Sequence, residues 1–152
     1  MGLMDRNLEA WFQKRLLGDL HAKQLTYRIA ATEQRFRPDM ITFAPSGEVI
    51  GLELKRSSKD LRSLLALTND GQIHQLCELT SSGHCGLVAS MCSDKRYNRC
   101  SDMVHFAIVH ANDWTYLTPE VPKYRYKYYV LPYYDFFKTL TSTERLSRVI
   151  TQ

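Results

Sequence analysis

The strongest chemical signal in this chain is Arg37-Pro38-Asp39 followed, after thirteen intervening residues, by Glu53-Leu54-Lys55. Two carboxylates and an amine at strand spacing suit metal-assisted hydrolysis of a phosphodiester. A hard divalent cation takes oxygen ligands, neutralises phosphate charge and activates a bound water. Asp39 and Glu53 are the candidate ligands for Mg²⁺ or Mn²⁺, with the Leu54 backbone carbonyl as a further oxygen. Lys55, two residues past Glu53, shares its strand face and can orient the water or steady developing charge. The competing reading is a surface hairpin in which Glu53 and Lys55 form an ordinary ion pair. E-x-K alone does not decide between the two. Pro38-Asp39 at hairpin distance, with Leu52 and Leu54 facing inward, is the more specific part of the pattern.

That chemistry needs Asp39 and Glu53 on one face, which is a question of register. Residues 38–44 alternate Asp39, Ile41, Phe43 against Met40, Thr42, Ala44, and residues 48–55 are rich in apolar and β-branched types. Between them lies Pro45-Ser46-Gly47. A three-residue hairpin loop wants a type I turn followed by a left-handed residue, and Gly47 is placed to supply it. Pairing Ala44 with Glu48 then sets Asp39 opposite Glu53, and Arg37 opposite Lys55, with Cβ atoms about 5 Å apart. A two-residue loop would shift the register by one and split the carboxylates between faces.

Around this hairpin the pattern predicts a helix over 5–21, with Asp5 as its cap and Leu8, Trp11, Phe12, Leu16 and Leu20 at helical spacing. Glu9 and Gln13 would share a stripe beside that apolar face. Residues 25–31 suggest a short strand. Residues 70–82 predict a second helix with Ile73, Leu76, Cys77 and Thr80 inward, ended by Gly83. Strands are expected over 86–91 and 103–110, separated by a polar loop over 94–102. Thr141 and Glu144 fit a capping box, opening a short helix over 142–149.

In this order the chain resembles the virus-type replication-repair nuclease (VRR-NUC) branch of the PD-(D/E)XK superfamily. That family's pattern runs from a helical Glu and Gln through P-D and a strand bearing E-x-K to a Gln-opened helix ending at Gly before a strand. Here the matching residues are Glu9 and Gln13, Pro38-Asp39, Glu53-Leu54-Lys55, Gln72, Leu79 and Gly83, and the strand over 86–91. The match covers about residues 5–92. The resemblance implies a restriction-endonuclease-like α/β core, a mixed central sheet of four to five strands flanked by helices. It implies Asp39 and Glu53 as metal ligands, Lys55 as the catalytic lysine, and Glu9 as an accessory acid near the metal. Gln72 would be the active-site glutamine, with Gln75 one turn on as a weaker candidate. It further implies an endonuclease acting on branched DNA, such as four-way junctions or flaps, in replication, recombination or repair, often as a homodimer. Two features depart from the family: Arg37 stands where Gly is usual, and residues 93–152 have no counterpart in it.

Composition bounds the rest. The 152 residues suit one domain, read as a core over about 5–110 and a Tyr-rich extension over about 111–152. With 44% hydrophobic and 24% charged residues, no secretory leader pattern and no membrane-length apolar run, a cytoplasmic or otherwise intracellular protein without a membrane partner is expected. The net charge of +4 is compatible with a polyanionic partner. Arg28, Arg35, Arg37, Arg56, Lys59 and Arg62 bracket the candidate site and could neutralise DNA phosphates, or could be a solvated face. Cys77, Cys85, Cys92 and Cys100 form no CxxC pair and read as reduced thiols rather than zinc ligands. Most of the nine tyrosines lie between Tyr116 and Tyr134. The run 123–129 favours an edge strand with Tyr124, Tyr126 and Tyr128 on the core and Lys123, Arg125 and Lys127 in water. Stacking on single strands and a dimer surface are the other readings. Two further functions stay open: an exonuclease working on ends or single strands, and a non-catalytic binding or inhibitor module on the same fold.

Overall fold

Ten residues rich in apolar and β-branched side chains, Val49–Ser58, form β3, the strand around which the chain assembles. The computed structural model describes residues 3–22, 26–27, 39–93, 103–112, 118–120 and 122–151, with backbone alone for 3–9, 26–27 and 151. One mixed sheet runs in the order β1 (Thr26–Tyr27), β2 (Met40–Phe43), β3, β4 (Cys85–Cys92), β5 (Met103–Ala111) and β6 (Tyr124–Pro132). It has six strands, or five without the two-residue β1, against the four to five expected. Strands β3 and β4 are parallel, and every other neighbouring pair is antiparallel. A parallel pair requires a crossover, which α2 (Leu61–Ala66) and α3 (Asp70–Ser81) provide.

The α/β class is therefore as expected, with helices on both faces of the sheet. On one face α1 (Leu3–Ala22), α4 (Tyr133–Thr141) and α5 (Thr143–Thr151) cover Leu52, Leu54, Leu87, Ala89 and Phe106. On the other, Leu64 of α2 and Ile73, Leu76 and Cys77 of α3 pack on Val88, Ala107 and Val109. Each fully buried Leu or Phe contributes roughly 1.5–3 kcal/mol relative to exposure. Among the described residues no helix is long and apolar enough to cross a membrane.

Several local expectations change. Helix α1 starts at Leu3, so Asp5 lies inside it and is not its cap. Its buried stripe is Phe12, Leu16 and Leu20, and Trp11, about 100° around the helix, is 42% exposed. Helices α2 and α4 were not expected at all. Asp60 caps α2 through a reciprocal pair with Ser63, a signal the basic residues around it obscure. Thr141 closes α4 by bonding back to the Phe137 carbonyl, and Ser142 caps the next helix, accepting from the Arg145 amide at 3.3 Å. Of the strand expected over 25–31, Thr26–Tyr27 is seen as β1, while residues 25 and 28–31 and the loop over 94–102 lie outside the described residues.

The tyrosine-rich segment is built into the sheet. Strand β6 pairs with β5 from Met103↔Pro132 to Ala111↔Tyr124 and forms one edge. Tyr124, Tyr126 and Tyr128 pack on the α2–α3 side of the core, as the alternation indicates. Lys123 and Arg125 are exposed. Lys127 differs from expectation: half-buried, it donates to the Ile150 carbonyl in the last turn of α5, where a cation meets the negative end of the helix.

Helix α3 lies unusually close to β4. A Cβ on Gly86 would stand 2.0 Å from the Leu76 main-chain oxygen, and the strand partner of Gly86 on β3 is Gly51. Gly86→Ala should therefore push α3 off the sheet and destabilise the fold by about 1–3 kcal/mol or more. Gly18→Ala, where a Cβ meets nothing within 4 Å, should stabilise α1 by about 0.5–1 kcal/mol. Urea midpoints measure both; a Gly86→Ala midpoint equal to that of the parent would refute the close approach.

Candidate active site

The hairpin between β2 and β3 sets the site. Ala44 N–H donates to the Glu48 carbonyl at 2.8 Å, Gly47 N–H donates back to Ala44 at 2.9 Å, and Gly47 has φ of +100°. This is the three-residue loop expected of Pro45-Ser46-Gly47. The ladder runs Phe43↔Val49, Thr42↔Ile50, Ile41↔Gly51 and Met40↔Leu52, and its next step sets Asp39 against Glu53. Met40, Leu52 and Leu54 face the α1 layer, which leaves Asp39, Glu53 and Lys55 on the α3 layer.

Four of the expected residues meet there. Asp39 is exposed at the mouth of the site, and its Oδ2 accepts from the Leu54 amide at 3.0 Å. Glu53 is 3% exposed. Its Oε1 accepts from Gln72 Nε2 at 2.6 Å and from Lys55 Nζ at 3.3 Å. Lys55 also donates to Gln72 Oε1 at 3.0 Å, closing a ring of three side chains. Burial first, and then the nearby Asp39 carboxylate, push Glu53 up to about 7, with Lys55 pulling the other way.

Gln72 reaches this ring because of where α3 begins. Asn69 is the N-cap, accepting from the Gln72 amide at 2.8 Å, and Gln72 Oε1 accepts in return from the Asn69 amide at 3.1 Å. Gln72 is thus the third residue of a capping box and a member of the site at once. Gln75, the weaker candidate, makes no such contact among the described residues.

The other expected residues are placed less centrally. Glu9 lies on α1, but its side chain is outside the described residues, as are Arg28, Arg35, Arg37 and Pro38. Arg56 is half-buried just past Lys55, while Lys59 and Arg62 are exposed on the following turn and on α2. Cys77, Cys85 and Cys92 are buried thiols outside any disulfide, and Cys100 is outside the described residues. Cys85 and Cys92 stand at opposite ends of β4, roughly 23 Å of extended strand apart, and cannot share a zinc ion.

Among the described residues no three His, Cys, Asp or Glu side chains come together as a metal cage. The donor set is the Asp39–Glu53 pair. Mg²⁺ commonly takes one or two carboxylates and completes its shell with water and substrate phosphate, so the pair fits such an ion. Burial of Glu53 and, after it, the neighbouring Asp39 carboxylate both disfavour negative charge at this point, and a cation between the two would offset them.

Beside the site lies a polar group that the sequence did not disclose. Strand β3 carries a bulge between Lys55 and Ser58. Beyond it, Ser58 Oγ lies 2.9 Å from Ser90 Oγ and 2.8 Å from His105 Nε2, while His105 Nδ1 meets the Tyr128 hydroxyl at 3.0 Å. Each of these residues is ordinary in isolation. Only the pairing of Ser90 with both Lys55 and His105 brings them beside the site. Compared with known proteins, the chain matches no family model, no curated protein and no solved structure.

Burial holds His105 neutral, its pKa lowered from 6.5 to about 4 against a weaker opposing pull from Asp60. The unfolded chain therefore takes up a proton between pH 6.5 and 4 that the folded chain refuses. The stability tied to this group is complete above pH 6.5, falls as the pH drops toward 4, and changes no further below that. The full loss is about 3 kcal/mol. Denaturant midpoints from pH 7 to pH 4 should fall more steeply for the parent than for His105→Asn; parallel slopes would show that His105 is not the titrating group.

Proposed function

We propose that this chain is a divalent-metal-dependent nuclease of the PD-(D/E)XK type, an endonuclease that hydrolyses phosphodiester bonds in branched or otherwise structured DNA. The observation that carries the reading is the convergence of Asp39, Glu53, Lys55 and Gln72 on one face of the β2–β3 hairpin, open at Asp39. The order of elements supports it: helix, hairpin, Gln-opened helix, then a parallel strand, as a restriction-endonuclease-like core and the VRR-NUC resemblance require.

Asp39 and Glu53 would hold Mg²⁺ or Mn²⁺, with Leu54 contributing its carbonyl and Glu9 as an accessory acid. A cation bound there would neutralise phosphate charge and make a bound water more acidic. The chain's own groups do the rest. Lys55, held at a fixed position by Glu53 and Gln72, presents a positive charge to the oxygens on which negative charge develops. Gln72 bridges the amine and the carboxylate, which also bond to each other directly, so neither needs to reorganise when substrate arrives. Arg56, Lys59 and Arg62 follow Lys55 in the chain and suit phosphate contacts that position the duplex without reading bases.

Incubation with a labelled four-way junction, a flap and a plain duplex tests the reading. With Mg²⁺ the parent should cut near the branch, and EDTA should abolish cutting. Asp39→Ala, Glu53→Gln and Lys55→Ala should each lower the rate at least about 10²-fold. Ladders growing from an end would identify an exonuclease instead. Binding that is salt-sensitive and indifferent to Mg²⁺, with no turnover, would identify a non-catalytic module. Asp39→Ala cutting as fast as the parent would sink the proposal.

A further inference from the structure

Helices α4 and α5 meet at an angle and leave a hollow of about 410 Å³ on the layer opposite Glu53. Its lining is Tyr134, Phe137, Lys138, Thr141, Ser142 and Arg145. Tyr134 is 62% exposed, and Lys138 Nζ sits 4.6 Å from the centre of its ring. Arg145 reaches toward Asp135 at 3.8 Å, both side chains remaining near half exposed. Thr141 donates to the Phe137 carbonyl, and Ser142 accepts from the Arg145 amide, which leaves its own proton available. A ligand in the hollow meets ring faces, two cations, and the Ser142 and Tyr134 hydroxyls.

A second pair of the same kind adjoins it through Tyr133. The Arg15 guanidinium lies 3.7 Å from the centre of the Tyr133 ring and 5.2 Å from that of Trp11. Trp11 and Tyr134 are two of the three large hydrophobic side chains exposed among the described residues. Each ring here is accompanied by a cation that keeps donors available to solvent.

We propose that this α1–α4–α5 face binds single-stranded nucleic acid, with one base resting in the hollow against Tyr134 and Phe137 and the backbone phosphates running past Lys138, Arg145 and Arg15. Unpaired bases offer the flat faces that exposed rings stack on, and their phosphates offer the charge that the cations complement. An anionic bilayer would meet the rings but cannot enter a concave hollow. The surface stands apart from the Asp39–Glu53 site, so the inference does not depend on the nuclease reading. It gives the C-terminal helices a role of their own: holding an unpaired strand.

The test uses the full chain carrying Trp114→Phe, which leaves Trp11 as the only indole of the two in the sequence. A twelve-residue oligothymidylate is titrated in EDTA, so that no metal-dependent cleavage can intervene. Saturable quenching of Trp11, weakening as salt rises, is the expected result. Tyr134→Ala, and Lys138→Ala combined with Arg145→Ala, should each weaken binding about tenfold. Glu78→Gln, exposed on the opposite layer of the sheet, should leave it unchanged, which locates the binding on the α1–α4–α5 face. The Tyr134, Lys138 and Arg145 side chains are at least partly exposed, and matching thermal melts confirm that the variants fold. Three outcomes would overturn the proposal: affinity unaffected by these substitutions, equal quenching by an abasic oligomer, or quenching by anionic vesicles or by self-association but not by the oligonucleotide.

Discussion

Burying the Glu53 carboxyl in the middle of the central strand is the constraint that organises this molecule. An isolated ionised carboxylate is very costly in such a place, so the group must be hydrogen-bonded, neutralised or paired. Gln72 and Lys55 meet that demand on one oxygen, and the shift of Glu53 to about 7 shows that they meet it incompletely. For Gln72 to reach, α3 must start at Asn69 and lie close to the sheet. That closeness excludes any side chain at Gly86. A single polar atom in β3 thus dictates a helix start, a helix height and a glycine one strand away.

The two faces of the sheet solve different problems. The α1–α4–α5 face is an apolar core in which Phe12, Phe106 and Phe136 interlock. The α2–α3 face carries Glu53, Lys55, Ser58, Ser90 and His105 side by side, and its apolar cluster is correspondingly smaller. Two polar groups so near each other could have merged into one network. The bulge after Lys55 keeps them distinct, because the extra residue returns Ser58 to the same face one step further along. One group then retains an imbalance that a ligand can relieve, while the other is paired through a neutral histidine.

Where a local rule decides, the sequence was legible. Pro45-Ser46-Gly47 determines loop length, loop length determines register, and register puts Asp39 across from Glu53. The position of Gln72 follows from α3 opening near Asp70 and ending before Gly83. Tertiary contacts decided the rest. Trp11 fits the helical period but is displaced from the core by Phe12, which packs edge-on against Tyr133. Helix α2 has six residues, too few for a visible period, and α4 begins directly at the end of β6 without a side-chain cap. His105 carries no local signal because its partners come from three other strands. Closing the sheet with β6 likewise depends on a long-range pairing that the alternation of Tyr124, Tyr126 and Tyr128 suggests without naming the neighbour.

Gln72 ties the start of α3 to the Glu53–Lys55 pair. Its Oε1 accepts from the Asn69 amide and from Lys55, and its Nε2 donates to Glu53. The first bond belongs to the helix and the other two to the site. Swinging the side chain away to free Lys55 would also leave a backbone donor at the start of α3 without its partner. The cost of uncapping therefore opposes loosening of the site, and Lys55 and Glu53 keep their spacing before any ligand arrives. A glutamine is the side chain for this task because it has one accepting and one donating atom. Glutamate would set a second carboxylate against Glu53, and lysine would set a second cation against Lys55.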